Sequence, residues 1–211
     1  PVFKQRQEGG EQAGAPVREV LTREPRALVS AILSRVGPDV LYALFTVFVL
    51  TYATQQLQVP KSWAVTGVML GSSLQLVLMP LAGALSDRLG RRRVYAVGAV
   101  GAGVWPFVFF PMIEGGSATM LVLGVVVGLV WHALMYGPQA AFVSEQFSPA
   151  LRSTGASLAY TLAGVVGGAL APLLFTSLFA HFGTWVAPAA YLVATCAVTL
   201  VGLALGRRDA R

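Results

Sequence analysis

The sequence predicts an all-α membrane protein of six transmembrane helices, and three observations carry that prediction. Hydrophobic residues make up 55% of the 211 residues and charged residues only 11%, where a soluble domain carries roughly 25% charged residues. Six apolar stretches recur along the chain, each near the roughly 20 residues a helix needs to cross a hydrocarbon core of about 30 Å. The basic residues gather on alternate connections between those stretches. No stretch alternates polar with apolar residues at period two, so a membrane barrel is not predicted.

The spans fall at residues 31–55, 63–85, 94–113, 118–143, 154–180 and 184–206. Residues 1–25 are polar, rich in Gly, Gln, Glu and Arg, with no apolar core. They form neither a signal nor a transit peptide. This segment reads as a cytoplasmic linker, and the start at Pro1 rather than Met points to a longer protein. Residues 26–206 then make one six-helix domain, and 207–211 a cytoplasmic tail.

A net charge of +6 and a pI near 10.0 would suit a nucleic-acid partner in a soluble protein, but the placement of the charge excludes one. Lys4, Arg6, Arg18, Arg23 and Arg26 precede the first span; Arg88, Arg91, Arg92 and Arg93 separate the second from the third. Arg152 lies between the fourth and fifth, and Arg207, Arg208 and Arg211 follow the sixth, while the other connections hold only Lys61. By the positive-inside rule both termini and the even-numbered loops are cytoplasmic. Cys196 is the single cysteine, so neither a disulfide framework nor a cysteine metal site is expected, and no metal or cofactor is.

Ionisable groups inside spans are costly, about 2.5–3.5 kcal/mol at a helix centre, and mark function or a buried pair. In the first span Arg35 and Asp39 stand four residues apart, and Tyr42 and Thr46 continue that face. Two readings stand side by side: an internal clip that holds the helix, or a cavity wall. In the fourth span His132, Tyr136 and Gln139 share a face beside Gly137-Pro138, where the proline is expected to break the helix and free carbonyls. A lone His can equally be a packing residue. Gln75 and Ser72 in the second span and Tyr160 in the fifth are weaker candidates. Gly98, Gly101 and Gly103 in the third span, and Gly164, Gly168 and Pro172 in the fifth, predict close helix packing.

Between the second and third spans the chain reads Gly83-Ala84-Leu85-Ser86-Asp87-Arg88-Leu89-Gly90-Arg91-Arg92. Gly90 permits a tight turn, the arginines anchor the loop in the cytoplasm, and Asp87 can meet an arginine or a helix N-terminus. This run resembles the loop signature of the major facilitator superfamily, Gly-x-x-x-Asp-Arg-x-Gly-Arg-Arg/Lys. A finer resemblance, to its metabolite:proton symporter branch, runs through Pro16–Val20, Thr46–Tyr52, Met135–Ala141, Glu145, Arg152 and Gly155-Ala156-Ser157.

The resemblance implies that the chain is the C-terminal half of a twelve-helix fold in the plasma (inner) membrane, its N-terminal six-helix half being a partner. It implies a secondary active transporter for organic acids or zwitterionic osmolytes, coupled to protons and working by alternating access. Spans one and four become cavity helices, so Arg35, Asp39, Tyr42, Gln75, His132, Tyr136 and Gln139 are the expected binding residues. Gly83, Asp87, Arg88, Gly90, Arg91, Arg92, Glu145 and Arg152 are the expected gating residues. One departure is Pro38-Asp39, where the branch often has an acidic residue followed by Asn.

The competing reading is a six-helix intramembrane serine protease, built on Gly155-Ala156-Ser157. Leu158 replaces the glycine that would complete a nucleophile motif, and neither His132 nor His181 is clearly placed as its base. A channel is the third reading, without a potassium-filter sequence to support it.

Overall fold

The computed structural model describes residues 15–207, so the expectations for Lys4, Arg6, Arg208 and Arg211 lie outside the described residues. A short helix α1, Ala15–Arg23, occupies the described part of the expected linker. Six helices long and apolar enough to cross a membrane follow: α2 Pro25–Gln55, α3 Lys61–Leu89, α4 Arg91–Ile113, α5 Ala118–Glu145, α6 Arg152–Phe182 and α7 Val186–Leu205. Most extend beyond the apolar stretches into polar flanks, because backbone hydrogen bonding continues past the apolar stretch.

Local chemistry sets the ends. Pro25 opens α2 at a position where its missing N–H costs nothing. The Ser117 hydroxyl caps α5 by accepting from the Met120 N–H at 3.4 Å. Gly90 ends α3 and begins α4 at φ 97, a conformation that favours glycine.

Two layers of contact hold the bundle. Helix α5 packs on α3 and α4, while α2 packs on α7 and α6. Polar bonds tie helices together where lipid offers no hydrophobic drive. The Tyr95 hydroxyl donates to Ser34 O at 2.7 Å, the Ser30 hydroxyl to Gly202 O at 2.8 Å, and the Gly37 N–H to Thr199 Oγ1 at 2.9 Å. At the end of the bundle away from the arginines, Phe45, Phe48, Tyr52, Phe109, Phe110, Phe175 and Trp185 form an aromatic cluster. Outward-facing Leu76, Met69 and Leu173 are 80%, 65% and 66% exposed, as lipid-facing side chains would be.

Two expectations change. Helix α5 runs unbroken through Pro138. Gly137 sits so close to α3 that an added Cβ would meet Met79 O at 2.6 Å and Gly83 N at 2.9 Å, and this neighbouring helix braces the chain at the proline. The irregular turns occur elsewhere, as π-helical segments at Leu44–Phe48 in α2 and Gly164–Ala169 in α6, the second ending in a bend at Leu170. The small-residue prediction also divides. Gly98 and Gly101 do face α5 side chains closely, but Gly164 and Gly168 have open space where a Cβ would stand.

Candidate functional site

That open space belongs to a cavity of about 560 Å³ between α2, α3, α5 and α6. Arg35, Asp39, Tyr42 and Thr46 line it from α2, Gln75 and Met79 from α3, His132 and Tyr136 from α5, and Gly164, Gly168 and Pro172 from α6. Helical spacing explains the α2 wall, since steps of three and four residues stack side chains on one face.

Arg35 anchors the wall. Its Nη2 donates to both Asp39 carboxylate oxygens at 2.9 Å, and its guanidinium carbon lies 4.0 Å from the centre of the Tyr160 ring. The two side chains are only 10% and 13% exposed. Gly167 makes room for the pair, because a Cβ there would stand 3.2 Å from that of Asp39. A proline at position 38 leaves no N–H at the turn before Asp39, and the Gly37 N–H is satisfied from α7 by Thr199.

On the opposite wall Gln75 and His132 form a second polar unit. The Gln75 amide donates to Leu129 O at 2.8 Å and lies 3.0 Å from His132 Nδ1. With the amide as donor, Nδ1 accepts and the ring proton resides on Nε2. His132 packs between Tyr42, at 5.1 Å between ring centres, and Tyr136, at 5.2 Å. The site therefore pairs one compensated ion pair with an aromatic and amide wall. It can offer charge-assisted donors to a carboxylate while remaining near neutral when empty.

Six of the seven predicted binding residues meet in this cavity. Gln139 does not: it is 1% exposed, and both its Oε1 and Nε2 are buried without a partner. It follows His132 by two helical turns, but it lies within the bundle rather than on the cavity surface. Tyr160 touches the site through Arg35, and Ser72 is not among the lining residues. Met79, Gly164, Gly168 and Pro172 were missed, although the four-residue spacing of the last three was the available signal.

The predicted gating residues do not form one unit. Asp87 meets Arg91 at 3.3 Å, and Arg91 meets Glu145 at 2.9 Å, which joins the end of α3 and the start of α4 to the end of α5. Gly83 packs against the Gly137 backbone, and Gly90 supplies the turn. Arg92 instead donates to Gly206 O beyond the end of α7. Arg88 and Arg152 are exposed and enter no ion pair or hydrogen bond among the described residues.

Ser157 is exposed, His132 is engaged by Gln75, and His181 packs against Phe182 with ring centres 4.8 Å apart. The protease reading finds no support in that arrangement. Among the described residues no group of His, Cys, Asp and Glu could hold a metal ion.

The model of the Major Facilitator Superfamily matches residues 27–211. The shikimate transporter of Escherichia coli K12 is 31% identical over 87% of this chain and 42% of its own length. An inner membrane metabolite transport protein of the same organism is 28% identical over 97% of this chain and 48% of its own. The citrate-proton symporter of Klebsiella pneumoniae is 29% identical over 74% and 37%. The chain thus spans less than half the length of these curated relatives. No solved structure gives a significant match.

Proposed function

The chain belongs to the major facilitator superfamily, and from that premise we propose that it is the C-terminal six-helix half of a proton-coupled metabolite symporter. Its cargo is a small organic acid or zwitterionic osmolyte. The carrying observation is the cavity wall in which Arg35 is held by Asp39 opposite His132 and Tyr136. Relatives named for shikimate and citrate-proton transport support the cargo class.

The chemistry follows from competition for one guanidinium. While Asp39 is ionised, it holds the Nη2 group of Arg35 through both carboxylate oxygens. A proton taken up by Asp39 removes the negative charge, and the guanidinium can then accept a cargo carboxylate in its place. Release of cargo and proton on the other side restores the internal pair. Tyr42, Tyr136 and His132 would bound the cargo laterally, and the unobstructed surface at Gly164 and Gly168 leaves it room.

An N-terminal six-helix half completes the cavity in this reading, and the halves rock to expose it alternately. The Asp87–Arg91–Glu145 cluster ties three helix ends on the arginine-rich side, the cytoplasmic side, and serves as a latch for one of the two states. Because the pairs are 25–61% exposed, each contributes little to folding, about 0–1 kcal/mol, yet a difference of that size biases a two-state balance.

The test is uptake of radiolabelled shikimate, citrate and betaine by cells producing the full-length protein, with and without an imposed proton gradient. Gradient-dependent uptake of one cargo, abolished by Arg35→Gln, is expected. Uptake indifferent to the gradient would overturn the coupling, and uptake retained by Arg35→Gln would overturn the site.

A further inference from the structure

A second polar cavity, of about 480 Å³, lies at the arginine-rich end of the bundle, apart from the site above. It opens where the α1–α2 junction meets the ends of α5 and α7 and the start of α4. Among the described residues, Arg23, Arg26, Arg92 and Arg207 line it, against a single carboxylate, Glu24. That carboxylate is already engaged, accepting the Ser148 N–H at 3.2 Å on both oxygens. The amide of Gln146 is spent as well, donating to Phe142 O at 2.9 Å and accepting from the Arg207 N–H at 2.7 Å.

The plain explanation for such arginines is helix capping, since cations are favourable at a C-terminus. It accounts for part of them. Arg26 Nε donates to Leu205 O at 3.0 Å, and Arg92 donates to Gly206 O. Each guanidinium has five N–H donors, however, and Arg92 Nε is buried with no partner among the described residues. Arg23 pairs only loosely with Glu19, at 3.7 Å. Among the described residues, this concave site sets four guanidinium groups against one engaged carboxylate, which leaves it short of anionic partners.

We propose that this cavity binds a phosphate group at the membrane surface, and that the source is the headgroup of an anionic phospholipid. Its position favours the lipid. The lining residues are the ends of spanning helices, which lie at headgroup depth, and basic pockets between such helices suit anionic headgroups. Arg23 and Arg207 reach the phosphate from the rim, while Arg26 and Arg92 hold it from the α7 side. Lipid bound there would fasten the α1–α2 junction to α7.

The experiment titrates the purified full-length protein with short-chain phosphatidylglycerol, short-chain phosphatidylcholine or inorganic phosphate and reads bound adducts by native mass spectrometry. Saturable phosphatidylglycerol binding is expected, weakened about 30-fold in Arg23→Gln/Arg207→Gln, at roughly fivefold per lost charge. Arg18→Gln/Arg93→Gln removes the same charge from exposed positions outside the cavity and should leave binding intact. Arg23→Lys/Arg207→Lys should bind more tightly than the glutamine pair, which separates loss of charge from loss of fold. Inorganic phosphate that binds with the same variant pattern, while phosphatidylglycerol does not, would overturn the lipid source and keep the phosphate chemistry. Equal weakening by the Arg18/Arg93 pair, or equal affinity for phosphatidylcholine, would overturn the site.

Discussion

Arg35 and Asp39 form one ion pair to which the proposed function assigns a task in folding and a task in transport. Both are nearly buried, and the bond is bidentate on the carboxylate. Removing one partner leaves an uncompensated charge, which costs about 3–5 kcal/mol at a buried site. Arg35→Ala and Asp39→Ala should each lower the thermal stability of the detergent-solubilised protein, and the double variant should recover most of it without recovering uptake. A double variant less stable than both singles would contradict that account. Gln139 makes the opposite case. Its amide is buried with neither atom bonded, an arrangement that costs about 1–3 kcal/mol. Gln139→Leu should therefore match or exceed the parent in melting temperature; a marked fall would show that the amide finds a partner in the membrane.

Within the helices, the same residue type carries different tasks. A Cβ at Gly98 would come within 3.0 Å of the Met135 backbone nitrogen, whereas one at Gly164 meets nothing within 4 Å. Gly98→Val is expected to reduce membrane abundance by forcing α4 and α5 apart. Gly164→Val should accumulate normally yet lose uptake by narrowing the cavity, and normal uptake would remove α6 from the cargo path. The glycine spacing was legible in the sequence, but its purpose was not. Whether a small residue meets a neighbouring helix or a void depends on the neighbour. The unbroken α5 teaches the same point, since Pro138 was visible and the close brace from α3 was not.

The six-helix bundle as a whole has a sided charge distribution. Arg93 and Ser117 are exposed at opposite ends of the bundle, on connections that should face opposite sides of the membrane. Cysteines at these two positions, in a Cys196→Ser background, should react with an impermeant thiol reagent from opposite sides. Arg93→Cys should label from the cytoplasm, and same-side labelling would refute the proposed topology. The exposed polar cavity also predicts dependence on a partner. Tyr42 and Tyr136 are 41% and 39% exposed, and the Arg35–Asp39 pair lines the same cavity; with nothing covering that cavity its polar wall would open to lipid, which is unfavourable even with snorkelling. Residues 1–211 produced alone should show little uptake, and co-production with a matching six-helix half should restore it.

The sequence alone determined the helix count, the charge asymmetry and the polar faces of α2 and α5, because those depend on transfer energies and helical periodicity along one chain. It also held the loop pattern, Gly83 to Arg92, that joins Asp87 and Arg91 to a family. Only the tertiary structure decided that Gly164, Gly168 and Pro172 bound the cavity, that Gln139 lies beneath it, and that Arg92 leaves the loop cluster for the end of α7. Those outcomes turn on which helices are neighbours and how closely they approach, and residues far apart in the chain set both together.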